Sequence, residues 1–275
     1  MTEVKSTRDV FGVPLAELDF AVVDVETTGW SPDRAGITEI GAVRLHRGQV
    51  VAEFTSLVNP GTPVPPSIEE LTGISDQMLA LAPPVTAVMP GLLAFAEGCV
   101  LTAHNAPFDL GFLTAACAAA GMTWPGYPVL DTVRLARQLM ITPDEVPDCK
   151  LRTLAVFFGA TALPTHRALA DARATAVVLG QLLRRLADHG VRTLGELTPW
   201  LEALEAAQAA APPAAAHLPA RLWSRLRFRL RLPFSLLPFS PLPSSLRWRR
   251  READKVWRGS VPRSSGGSEW SPPSS

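Results

Sequence analysis

The sequence predicts an α/β fold, a mixed five-stranded sheet flanked by helices, followed by a tail of different composition. Three observations carry this. β-Rich runs come first, and helical patterns then alternate with short strands, the order of a mixed sheet covered on its faces. The longest helical pattern, Ala168–Leu186, repeats apolar residues at helical spacing. An Ala/Pro-rich linker, residues 205–220, then separates a domain at 1–204, with its core at about 18–190, from a Pro/Ser-rich basic tail at 221–275.

The first strand is Ala21-Val22-Val23-Asp24-Val25-Glu26, an apolar run carrying two carboxylates. Asp24 and Glu26 are two residues apart, so on an extended backbone they leave the same face, with Cα atoms about 6.5–7 Å apart. On a buried face they repel and lose hydration, and a divalent cation with oxygen ligands is the simplest relief. Acids at a strand end that reaches solvent account for the stretch equally well. Thr27-Thr28-Gly29 closes the strand with a glycine where backbone can approach a ligand.

Ile37–Leu45 and Val50–Val58 flank His46-Arg47-Gly48-Gln49 and predict a hairpin, which extends the first strand into an antiparallel meander. After the break at Asn59-Pro60-Gly61, a short helix starts at Ser67-Ile68-Glu69-Glu70, and Thr86–Ala96 reads as a longer one. Cys99–Ala103 is a short buried strand ending at His104-Asn105. The helix from about Pro107 to Ala120, stopped by Gly121, turns Asp109 to the face of Phe112 and Leu113. Val129-Leu130 is a strand remnant, and Asp131 is expected to cap a helix through Leu139. Lys150–Phe158 is another short helix. The long helix that follows buries Leu169, Ala172, Ala176, Leu179, Leu183 and Leu186, with Asp171 beside this stripe in its first turn.

Net charge is zero but unevenly spread: from Pro212 onward there are 12 Lys and Arg against 3 Asp and Glu, which leaves residues 1–211 at −9. The two parts therefore differ in partners or status. Arg225–Leu232 alternates Arg with Leu or Phe, and Arg249-Arg250-Arg251 follows. A ribbon with one basic face would suit nucleic acid, yet the tail's composition predicts disorder. Cys99, Cys117 and Cys149 form no CxxC pair, which argues against a zinc site or a disulfide framework. With no apolar leader and no run of about 18 apolar residues, a cytoplasmic protein without a membrane span is expected.

Asp24, Glu26, Asp109 and Asp171, with His166, stand at expected element ends where one cleft could collect them. Hard oxygen ligands in this number suit magnesium or manganese, and two such ions about 4 Å apart form the clamp used for in-line phosphodiester displacement. Asp24-Val25-Glu26-Thr27-Thr28-Gly29, His104-Asn105-Ala106-Pro107-Phe108-Asp109 and His166-Arg167-Ala168-Leu169-Ala170-Asp171, in that order, resemble the three exonuclease motifs of the DEDDh family. Its members include the proofreading epsilon subunit of bacterial DNA polymerase III and ribonuclease T. The resemblance runs from about Leu18 to Leu186 and takes in Leu71-Thr72-Gly73-Ile74 and Asp131-Thr132.

The resemblance implies a ribonuclease H-like fold and a 3′-to-5′ exonuclease with two Mg2+ or Mn2+ ions that releases nucleoside 5′-monophosphates. Carried onto this sequence, Asp24 bridges both ions, Asp171 helps hold the nucleophile-side ion, and Glu26 and Asp109 complete the shell. His166 matches the general base, a role that suits imidazole because it titrates near neutrality. Thr27, Thr28 and Gly29 match the backbone platform beneath the terminal nucleotide, and His104, Asn105 and Phe108 line the same mouth. Asn105 as a helix cap and Phe108 as core are equal alternatives. Trp30 either stacks on a base or packs under the Pro32 turn. His46, His189 and His217 match no motif and are expected at the surface.

The implied substrate is the 3′ end of single-stranded or frayed DNA, in proofreading or repair, with RNA 3′ ends of the ribonuclease T type as the alternative. A DNA polymerase subunit is the candidate protein partner, although the basic tail matches no attachment segment of the family. A reading from another class, a non-catalytic module that binds nucleic acid or a polymerase through the tail, is opposed by the intact set of five residues.

Overall fold

The two acids of the first strand lie in the middle of the sheet. The computed structural model describes residues 9–139 and 146–209. In it β1 (Asp19–Thr27), β2 (Ile37–His46) and β3 (Gln49–Leu57) form the antiparallel meander, and β4 (Val100–Ala103) and β5 (Val129–Asp131) join in parallel. The order is β3-β2-β1-β4-β5. The β2–β3 turn is tight because Arg47 and Gly48 both take left-handed backbone, φ 50° and 74°, the turn form whose twist matches paired strands.

The helices are α1 (Pro66–Thr72), α2 (Asp76–Leu79), α3 (Val85–Phe95), α4 (Ala106–Ala119), α5 (Thr132–Leu139), α6 (Leu151–Phe157), α7 (Ala168–Asp188) and α8 (Leu194–Ala209). Alternation along β1 divides its side chains between two cores. Ala21, Val23 and Val25 pack with Met89 and Leu92 of α3 and with Phe112 and Leu113 of α4. Phe20 and Val22 pack with Val43 of β2 and with Leu179 and Leu182 of α7. Asp24 and Glu26 continue this second set, so they emerge on the α7 face. A one-residue slip would exchange acids for valines on both faces, and at about 1.5–3 kcal/mol per buried aliphatic or aromatic side chain the two cores fix the register.

The helix α7 lies directly on β2. A Cβ at Gly41 would stand 2.2 Å from Leu169 N and 2.3 Å from Ala168 C, so glycine is required for this approach. Further along, Arg173 of α7 binds Glu53 of β3, Nε to Oε1 2.7 Å.

The elements read from the sequence between Ala21 and Leu186 are present, within a residue or two of their expected ends. The single turn of α2 and the whole of α8 were not read. The expected linker start falls inside α8, where Glu205 Oε1 accepts from Arg134 Nε at 2.7 Å. The remainder of the linker and the tail, with His217, Arg225–Leu232 and Arg249–Arg251, lies outside the described residues. Among the described residues no helix is long and apolar enough to cross a membrane.

Candidate active site

The central strand outruns its parallel neighbour. Pairing with β4 covers only Phe20–Val22, so the Val25 N–H on that edge is open to another acceptor. The chain leaves β4 through His104 and Asn105, the latter at φ 73°, and the first turn of α4 brings Asp109 Oδ1 to Val25 N at 3.1 Å. Asp131 Oδ1 accepts from the N–H groups of Val133 at 2.8 Å and Asn105 at 3.1 Å. It therefore caps α5 as expected and also pins the turn that carries α4. Asn105 does stand at the N-cap position of α4, where its carbonyl accepts the Phe108 N–H at 3.0 Å, but its side chain makes no capping bond.

On the opposite side of β1, the loop entering α7 carries His166 at φ 57°. Asp171 Oδ1 accepts the Thr165 N–H at 2.8 Å, closing this loop onto the helix. Glu26, His166 and Asp171 thereby place one ligand atom each within 4.8 Å of one another.

Asp24 and Asp109 adjoin this group electrostatically. Burial pushes the Asp24 carboxyl well above the usual carboxylate range, and the charges of Asp109, Glu26 and Asp171 push it further. Glu26 is raised to about 8 by burial and then by Asp171 and Glu39, with Arg167 opposing. Burial also raises Asp109 and Asp171, against the stabilising N–H bonds from Val25 and Thr165 respectively. Four carboxylates that line one cleft and resist ionising together suit a hard divalent cation.

These groups lie in an open cleft of about 240 Å³. Of the residues expected around a terminal nucleotide, Thr27, Gly29, His104 and Phe108 line it. Thr28 and Asn105 do not: Thr28 Oγ1 accepts the Gly36 N–H at 3.0 Å, and Asn105 is exposed at the start of α4. Trp30, 82% exposed, meets Phe108 edge-on with ring centroids 6.1 Å apart, so it does not pack under the Pro32 turn. Phe108 also leans on Phe112 at 5.1 Å and is at once cleft wall and rim of the core.

The family model described as Exonuclease (RNase T) matches residues 21–179, from the first acid-bearing strand into α7. The chain belongs to the DEDDh exonuclease family. It is 47% identical over 202 residues to a protein of Mycobacterium tuberculosis named as a bifunctional exonuclease/endonuclease, a match covering 70% of this chain and 31% of that protein. To a DNA polymerase III PolC-type of Caldanaerobacter subterraneus it is 40% identical over 181 residues, covering 66% of this chain and 13% of the polymerase. The chain thus spans less than a third of the length of these relatives. The nuclease domain of 3′hExo, a DEDDh family member bound to rAMP, shares the fold, with TM-score 0.53 and 17% identity over 66% of this chain and 97% of that domain.

Two features of this DEDDh domain were not read from the sequence. Ile68 and Leu71 of α1 form an apolar wall of the cleft; Leu71-Thr72 was noted only as part of the resemblance. Glu39, 4% exposed on β2, faces Glu26 across the strand register and binds Arg167. A charged residue in the β-rich run Ile37-Thr38-Glu39-Ile40 was the available signal, the same kind of irregularity that marks Asp24 and Glu26. His104 is a neutral wall group, pushed down to about 4 by burial. Thr132 Oγ1 donates to Ala103 O at 3.2 Å and lies 2.9 Å from His104 Nδ1, which ties this ring to the start of α5. His46 is exposed beside Asp19, and His189 ends α7 against Trp200.

Proposed function

We propose that this domain is a metal-dependent 3′-to-5′ exonuclease acting on single-stranded or frayed DNA ends and releasing nucleoside 5′-monophosphates, in proofreading or repair. The observation that carries the reading is the convergence of Asp24, Glu26, Asp109 and Asp171, from β1, α4 and α7, on one open cleft beside His166. Asp24, Glu26, Asp109 and Asp171 are the residues that would hold two Mg2+ or Mn2+ ions. Such ions supply charge stabilisation for in-line displacement at phosphorus. His166, exposed at the edge of the carboxylate group, takes the proton of the attacking water on an imidazole nitrogen. Thr27 and Gly29 offer backbone to the terminal nucleotide, while Trp30, Phe108 and Leu71 offer apolar faces to its base. The DNA assignment is supported by the polymerase relative, whose name also makes a polymerase subunit the candidate partner.

Digestion of a 5′-labelled single-stranded DNA oligonucleotide with Mg2+ or Mn2+, beside a matched RNA, tests this. The expected result is a ladder shortening from the 3′ end that is absent in Asp24→Asn. Faster shortening of the RNA moves the substrate class to RNA ends. No ladder on either strand, from folded protein, overturns the enzyme reading.

A further inference from the structure

We propose that Glu39 is a positioning residue for His166: by binding both the Arg167 guanidinium and the first helical N–H of α7, it holds the backbone turn that presents the imidazole to the cleft. The inference rests on the exonuclease reading above, in which His166 is the general base.

His166 sits at φ 57°, in a region that side chains with a Cβ disfavour, so its surroundings must hold it there. Both neighbours are tied. On the N-terminal side, Thr165 N–H donates to Asp171 Oδ1 at 2.8 Å. On the C-terminal side, Arg167 forks onto Glu39, Nη2 to Oε1 at 2.7 Å and Nε to Oε2 at 3.0 Å. The next residue, Ala168, donates its N–H to the same Oε2 at 2.9 Å. Three donors from the two residues that follow His166 thus end on one carboxylate.

That carboxylate is itself anchored. The Glu39 side chain is 5% exposed and faces Glu26 in the β1–β2 register. Two residues along β2, Gly41 touches the α7 backbone. The turn is therefore referenced to the strand pair that carries Asp24 and Glu26, and not to a surface loop. A planar fork on a carboxylate fixes direction as well as distance, which an ammonium would not do. With both oxygens bonded and a cation alongside, Glu39 is the one acid of this group already compensated, so it is not a fifth ligand.

A double-mutant cycle tests the proposal. Glu39→Gln and His166→Ala, singly and together, are compared in steady-state digestion of labelled DNA. In the wild-type background Glu39→Gln is expected to lower kcat about tenfold or more with KM within about twofold, and to cost less than about twofold when His166 is already Ala. Equal losses in the two backgrounds place its action elsewhere and overturn the proposal.

The second readout needs neither metal nor turnover. In histidine-labelled protein, the ring signal that disappears in His166→Ala is expected to shift and broaden in Glu39→Gln. An unchanged signal overturns the proposal whether or not the wild type degrades DNA, so its failure stays separate from that of the exonuclease reading. Arg167→Lys, which keeps the charge and loses the fork, takes the same measurements if Glu39→Gln does not fold, with the same outcomes deciding.

Discussion

Glu26 on β1 and Glu39 on β2 stand directly opposite one another in the antiparallel register, in opposite surroundings. Glu39 meets the Arg167 fork, Nη2 to Oε1 2.7 Å, whereas Glu26 faces Asp171 and His166 in the open cleft and is raised to about 8 by burial and by Asp171. Glu39 is compensated within the fold, whereas Glu26 is one of the four carboxylates proposed to hold the ions.

That contrast sets a pH dependence. Glu26, with Asp24, Asp109 and Asp171, holds protons more tightly in the folded chain than in the unfolded one. Their contribution to stability is complete below the ordinary carboxylate range and falls as pH rises toward about 8, because the unfolded state releases these protons first. Thermal unfolding in chelator is expected to show Tm falling between about pH 5 and 8, and added Mn2+ is expected to restore it by binding the folded, ionised site. A Tm that climbed across this window without metal would contradict the assignment.

Asp24→Asn removes a carboxyl that burial and its neighbouring carboxylates keep from ionising, so the variant escapes the cost of holding that proton. In chelator it is expected to unfold at a higher temperature than the wild type, while nuclease activity falls about 10³-fold, the rate equivalent of losing several kcal/mol of charge stabilisation. Stabilisation together with inactivity separates a ligand from a fold residue.

His166→Ala is expected to lower kcat by about 10²–10⁴-fold, the usual contribution of a positioned proton acceptor, with KM for DNA nearly unchanged. Calorimetric titration with Mn2+ checks the assignment: a parallel loss of ion affinity would make His166 a ligand instead.

Trp30→Ala should leave stability within about 0.5 kcal/mol, because the indole is 82% exposed. Stacking on a terminal base is worth about 1–3 kcal/mol, so KM for single-stranded DNA is expected to rise severalfold or more. An unchanged KM would remove Trp30 from the substrate contacts.

Gly41→Ala places a methyl 2.2 Å from Leu169 N, against backbone that cannot give locally. Overpacking of this kind costs about 1–3 kcal/mol. Since α7 carries Asp171 and follows His166, activity should fall even at temperatures where circular dichroism shows the variant folded.

Much of this was legible locally. The period of two in a strand puts Asp24 and Glu26 on one side, and apolar neighbours make their presence there conspicuous. Arg47-Gly48 between two β-rich runs announces the hairpin, and the helical stripe of 168–186 predicts the buried Ala172, Ala176, Leu179 and Leu186 with Asp171 beside them, although Leu169 and Leu183 are only half-buried and Val178 and Leu182 take the interior. The helix α8 is obscured by Pro199 and by its Ala-rich end, yet Leu194, Leu197 and Leu201 repeat at helical spacing and are buried; contacts such as Arg134 with Glu205 add to its anchoring.

Local sequence alone shows which residues carry charge into apolar elements, and in what order along the chain. Tertiary structure alone decided their partners. Asp109 reaches Val25 because β4 stops short and leaves that N–H open. Glu39 receives Arg167 across 128 positions because Gly41 lets α7 settle on β2. Period and propensity are local properties, whereas the meeting of distant groups depends on where elements end and how closely they pack.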